Sequence, residues 1–293
     1  MKQRVLTSIG IGIVGIPVVL LSRYIVYPIF LGLLSAIAVW ELYRVFGFEK
    51  RYEISVPAYL IAGLLPVFAH DFFTKGNQSG YLLIVAATIF AYLLYLNAVC
   101  VVSKEILMKR SATEGSGDKQ KILEFSDISA AFLAVTYVTV SFTSMSLTRY
   151  MTNGVYVFAI VFVAAWMCDI FAYFTGRFFG KHKLAPHLSP KKTVEGSIGG
   201  IIFAVLGCML YGLIVDLATD LHARYLVLAC LGLVLSVISQ IGDLFASLIK
   251  REKGVKDYSQ MLPGHGGVMD RFDSILAIST VLMAVCMLFP PFR

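Results

Sequence analysis

Long stretches without a single Asp, Glu, Lys or Arg constrain this chain more than any other feature. They run Val5–Ser22, Tyr24–Trp40, Ile54–His70, Gly76–Ser103, Ile128–Thr148, Tyr150–Cys168, Gly196–Val215, Tyr225–Gly242 and Ser274–Phe292. A membrane-crossing helix needs about 20 mostly apolar residues, so the sequence predicts nine spans. Backbone polar groups in hydrocarbon must pair within their own segment, and none of these stretches alternates as a barrel strand does, so each is expected to be an α-helix. The expected fold class is an all-α polytopic membrane protein, a bundle of about nine transmembrane helices with short cytoplasmic loops. Composition agrees: 58% of residues are hydrophobic and 15% charged, against roughly a quarter charged in soluble domains. Lys2 and Arg4 before the first span resemble a signal peptide, but Ser22-Arg23 offers no small-residue cleavage site, and the segment reads as a retained anchor.

The charges between spans set the orientation. With the N-terminus cytoplasmic and nine crossings, only Arg23, Lys75, Arg149, Arg224 and Arg293 of the 25 lysines and arginines fall on the far side. That is the positive-inside pattern. The net charge of +7 is therefore first a topology signal, with a secondary pull on anionic headgroups or nucleotide. No separate basic module suggests nucleic-acid binding. The five cysteines lie in apolar spans without a C-x-x-C pair, and are expected to pack as small hydrophobes, with no disulfide and no zinc site.

The chain reads as two regions. Residues 1–126 hold spans one to four and a polar Gly/Ser-rich loop, Ser103–Glu124. Residues 127–293 hold spans five to nine and two cytoplasmic loops, 176–195 and 247–271, dense in Gly, Pro, His, Lys, Arg and Asp. Loops of that composition are where sites are built. Asp169 interrupts the sixth span, Asp243 ends the eighth, and Asp270 and Asp273 open the ninth. Ionisable groups at membrane depth are costly and point to function. Glu41 carries less weight, because it stands three residues before Arg44 and can pair with it along a helix.

Asp270 and Asp273 share a helix face by their spacing. With Asp243 they make an oxygen-rich set suited to a hard cation such as Mg²⁺, which is usually held by one or two carboxylates plus substrate phosphates. The run Leu262-Pro263-Gly264-His265-Gly266-Gly267 precedes these acids, and its glycines let backbone N–H groups approach an anion. Lys250, Arg251, Lys256 and Arg271 add positive charge on that loop, as do Lys191 and Lys192 on the other. His265 and His187 lack partners at zinc-ligand spacing.

These runs resemble the phosphatidate cytidylyltransferase (CDP-diacylglycerol synthase) family. The likeness covers Ser247 to Arg251, Lys256-Asp257, Leu262 to Val268 and Asp270 to Asp273. It extends upstream through Asp169, Ala172-Tyr173, Gly176, Gly180-Lys181, Pro186, Ser189 to Thr193, Glu195-Gly196, Gly199-Gly200 and Gly242-Asp243. The N-terminal half is similar only as a set of spans. The resemblance implies joining of phosphatidic acid to CMP from CTP with loss of pyrophosphate. It implies Mg²⁺ dependence, with room for a second, monovalent cation, and a homodimer; the compact length and short tails point to a bacterial plasma (inner) membrane. Catalytic roles fall to Lys192, Lys250, Arg251, Lys256, His265 and Arg271, and metal binding to Asp243, Asp270 and Asp273. Substrate contacts fall to Asp169, Ser189, Lys191, Thr193, Glu195, Gly264, Gly266 and Gly267. A CTP-dependent lipid kinase would instead release CDP, and an ion or phosphate transporter would show flux without nucleotide turnover. An alcohol phosphotransferase would need a D-G-x-x-A-R pattern that is absent.

Overall fold

A computed structural model describes residues 22, 24–76, 78–113 and 123–293. All of the first expected span but Ser22, and residues 114–122 of the Gly/Ser-rich loop, lie outside the described residues; residues 103–113, expected as part of that loop, are helical instead. Eight helices long and apolar enough to cross a membrane are present among the described residues. They are α1 (Val26–Phe46), α2 (Tyr52–Thr74), α3 (Gln78–Thr113), α4 (Phe125–Thr148), α5 (Gly154–Phe179), α6 (Val194–Ala218), α7 (Tyr225–Glu252) and α8 (Met269–Leu288). They correspond in order to expected spans two to nine. Between α5 and α6 the chain forms one antiparallel hairpin, β1 (Lys183–Ala185) and β2 (Ser189–Thr193), with Lys183 opposite Thr193 and Ala185 opposite Ser189.

The helices outrun the charge-free stretches, and this places the acids. At 1.5 Å per residue, the 28 residues of α7 extend about 42 Å, beyond a hydrocarbon core of about 30 Å. Asp243 therefore does not end its helix, as its position after the apolar run suggested. The helix continues more than two turns, through Lys250 and Arg251 to Glu252. Asp169 likewise lies well inside α5.

Helices α1, α2 and α4 pack together, as do α5, α6 and α7, while α8 touches α7, α4, α5 and α1. The start of α8 is thus where the early and late helices meet. One apolar core runs through both groups, with Tyr43, Phe142, Ile160, Leu228 and Leu282 fully buried. Outward faces carry large exposed hydrophobics such as Leu83, Leu206 and Leu226, as a lipid-facing surface requires. Cys168, Cys208 and Cys286 are buried.

At one end of the bundle the end of α1, the hairpin and the 253–268 segment come together. Lys253 Nζ lies 5.4 Å from the centre of the Phe46 ring, and Arg251 Nε donates to Leu188 O at 3.5 Å. At the other end the C-terminal residues exchange backbone hydrogen bonds with His222 and Arg224.

Candidate active site

The hairpin is held from its own neighbourhood. Thr193 caps α6, its Oγ1 accepting the Gly196 N–H at 3.1 Å. Glu195, in the first turn, folds back onto the hairpin entrance. It accepts the backbone N–H groups of Lys181 and His182 (3.1 and 3.2 Å) and contacts His182 Nδ1 at 2.7 Å. Lys191 and Lys192 follow on β2. Lys192 Nζ forms an ion pair with Asp243 of α7, both side chains being about one quarter exposed.

Beside this pair a cavity of about 290 Å³ opens between α5, the hairpin, α6 and α7. Asp169, Tyr173, Lys191, Lys192, Thr193, Ser197 and Gln240 line it. The Gln240 amide is fixed from behind, with Nε2 donating to Ser197 O at 3.2 Å and to Cys168 Sγ at 3.4 Å.

The 253–268 segment is held differently. The Asp270 carboxylate is nearly buried and receives Lys250 Nζ at 2.9 Å, Tyr258 N at 2.8 Å and Gly267 N at 3.0 Å. Lys250 Nζ also lies 5.3 Å from the Tyr258 ring centre. The Tyr258 hydroxyl donates to Ala246 O at 2.8 Å. Burial, then the Asp270 carboxylate, push its pKa well above that of a free tyrosine, so it stays a neutral donor at any physiological pH. The tip of the segment turns through Gly264 and Gly266, both at positive φ, with Leu262 N donating to Gly266 O at 2.9 Å. A second cleft of about 590 Å³ lies over this turn, lined by Lys256, Gln260, Gly264, His265, Gly266 and Arg271.

Asp273 stands one turn after Asp270 on α8. Its Oδ1 accepts Ser274 N at 2.8 Å, and the carboxylate lies within electrostatic reach of Asp243 and Asp169, with Lys250 the nearby cation. Gly242 permits this approach: a Cβ there would stand 2.5 Å from Ala277 Cβ and 3.0 Å from Asp273 O, forcing α7 and α8 apart. The carboxylates in mutual reach are therefore Asp169, Asp243 and Asp273, whereas Asp270 is engaged by Lys250 and two backbone N–H groups. Among the described residues no three His, Cys, Asp or Glu side chains stand ready-made as a metal cage.

The remaining predicted residues divide by place. Ser189 and Thr193 bracket β2; Arg251, Lys256 and Arg271 are exposed. Gly267 is buried against a residue that sequence spacing misjudged. A Cβ on Gly267 would lie 2.3 Å from Glu41 Oε1. Glu41 is fully buried, and none of its bonds goes to Arg44. Its partners are Ser259 Oγ (2.6 Å), Val268 N (2.9 Å) and Met269 N (2.7 Å). Arg44 instead lies over the Trp40 ring. The only available signal was a carboxylate at the membrane boundary, since its partners are more than 200 residues away.

The family model of the cytidylyltransferase family matches residues 2–289. A phosphatidate cytidylyltransferase of Bacillus subtilis is 32% identical over 99% of this chain and 98% of its own length. One of Staphylococcus aureus is 35% identical over 96% and 97%. One of Staphylococcus epidermidis is 41% identical over 160 residues, covering 54% of this chain and 59% of that protein.

Proposed function

The chain belongs to the cytidylyltransferase family, and on that premise we propose that it joins CTP and phosphatidic acid into CDP-diacylglycerol, releasing pyrophosphate. The observation that carries this reading is the meeting of two lysine–carboxylate pairs, Lys192–Asp243 and Lys250–Asp270, at one end of a membrane bundle. Two like-charged phosphates can be brought together where cations and carboxylates are placed so closely. The end of the bundle that carries both polar segments faces the cytoplasm, where CTP is found, in accord with the positive-inside distribution of charge.

The donor set fits a hard divalent cation, since it consists of carboxylate oxygens without sulfur or imidazole. Mg²⁺ needs only one or two protein carboxylates beside phosphate and water, so the lack of a three-residue cage does not oppose it. Asp243 and Asp273, with Asp169 in reach, would hold the ion, which supplies charge neutralisation for phosphate oxygens and for pyrophosphate as it departs.

The 290 Å³ cavity, open along α5 and partly apolar, takes the lipid phosphate, with Lys191 and Lys192 as its cations. The cleft over the Gly264–Gly267 turn takes the nucleotide, with Lys256 and Arg271 around the phosphates and His265 beside them. A lipid phosphate oxygen attacks the α-phosphorus of CTP. The bond from that phosphorus to the bridging oxygen breaks, and pyrophosphate leaves with the electron pair. A phosphate monoester with a second pKa of about 6 is mostly dianionic at pH 7, so no side chain has to remove a proton. Catalysis reduces to positioning and charge neutralisation. The enzyme works as a homodimer in the bacterial inner membrane.

Purified protein given phosphatidic acid and CTP labelled at the α-phosphate tests the reading. Labelled liponucleotide and an equal amount of pyrophosphate are expected. Labelled CDP without liponucleotide would point to the lipid kinase reaction instead.

A further inference from the structure

Glu41 stands outside every motif that the proposed chemistry uses, yet it is fully buried beside the site and accepts three hydrogen bonds. The first backbone N–H groups of a helix have no partner within that helix. At α8 the residue in the capping position is Val268, whose side chain has no oxygen, and no side-chain cap is made there. Glu41 supplies the cap from another helix: Oε1 accepts Val268 N and Oε2 accepts Met269 N. A carboxylate suits that place doubly, because helix N-termini favour negative charge. The same Oε1 accepts the Ser259 hydroxyl, and Gly267 has no Cβ where the carboxylate lies.

The consequence concerns register. Asp270 and Asp273 are one and four residues beyond Met269, in the turn that Glu41 caps. Ser259 follows Tyr258, whose N–H binds Asp270. One buried carboxylate on α1 thus holds both ends of the segment that presents the acids and the glycine turn. We infer that Glu41 is a positioning residue for the transfer reaction, fixing the Ser259–Asp273 segment against the early helices without touching substrate. This rests on the proposed synthase reading.

An amide at position 41 keeps the shape but has one acceptor oxygen, so it cannot serve two divergent N–H groups and a hydroxyl. Glu41→Gln, Glu41→Asp and Ser259→Ala are purified beside the wild type, with kcat per folded molecule, KM for CTP and melting temperature recorded. Glu41→Gln is expected to lower kcat at least tenfold with KM for CTP within threefold of wild type. Glu41→Asp, still charged but one methylene short, is expected to recover part of that loss. Ser259→Ala, which removes one of three donors, is expected to lower kcat three- to tenfold. Wild-type kcat in folded Glu41→Gln, whatever its melting temperature, overturns the inference while leaving the synthase reading intact. If Glu41→Gln does not fold, wild-type kcat in Ser259→Ala overturns it. A wild-type protein that makes no liponucleotide overturns the synthase reading and this inference with it.

Discussion

The two polar segments at the site solve the same problem by different means. The 180–193 hairpin is fastened by residues close in sequence, Thr193 and Glu195, and then reaches across to Asp243 through Lys192. The 253–268 segment has no strand or helix of its own. It is fastened by Asp270 from one side and by Glu41, over 200 residues away, from the other. A locally fastened element can lose one contact and keep its shape. A segment held by two buried carboxylates, one of them far away in sequence, cannot, because each loss leaves a buried polar group unpaired.

Substitutions should therefore cost more on the 253–273 side than on the hairpin. The largest effect is expected for Asp273→Asn, which removes charge from the acidic group without altering its size. Activity should fall more than about 1,000-fold, about 4 kcal/mol in barrier, in protein that still inserts; turnover within tenfold of wild type would remove Asp273 from the chemistry. Next comes Asp270→Asn, which removes the carboxylate that pairs directly with Lys250. Loss of one partner of such a pair costs about 3 kcal/mol, read as a lower melting temperature in detergent; an unchanged melting temperature would mean that the pair is solvated.

On the hairpin side, Lys192→Ala should lower activity about 100-fold, near 2.7 kcal/mol, with little change in melting temperature. Glu195→Gln should cost about tenfold in activity, near 1.4 kcal/mol, since Thr193 and the strand pairing still hold the hairpin. Thr193→Ala, which removes only the cap of α6, should cost about 1 kcal/mol of stability. If the hairpin variants prove as damaging as those at Asp270 and Asp273, the contrast between the two segments fails.

The spans were legible because lipid leaves no choice: apolar length and paired backbone prescribe helices wherever charge is absent. The hairpin was not, because Ser189-Pro190-Lys191-Lys192-Thr193 has little strand character and is set by its contacts with Glu195 and α6. Charge-free length also understated α7, whose last turns leave the hydrocarbon and so tolerate Lys250 and Arg251. Asp243 was visible as an acid at the boundary, and its neighbour Gly242 shows why it can stand near Asp273. The spacing of Asp270 and Asp273 suggested one shared face. Lys250 of α7 pairs with Asp270 and lies within electrostatic reach of Asp273, but Asp270 is also taken up by the Tyr258 and Gly267 N–H groups, whereas Asp273 has Asp243 and Asp169 in reach. Glu41 was misjudged because local spacing offered Arg44, whereas the stronger demand came from unpaired N–H groups at the start of α8.

The central claim is that carboxylates on α7 and α8, chiefly Asp243 and Asp273, hold a divalent cation where two phosphates meet. Electron paramagnetic resonance of Mn²⁺ added to the purified protein with CTP tests it directly. The account predicts bound Mn²⁺ in the wild type and at least tenfold weaker binding in both Asp243→Asn and Asp273→Asn. Wild-type Mn²⁺ affinity in both variants would contradict it.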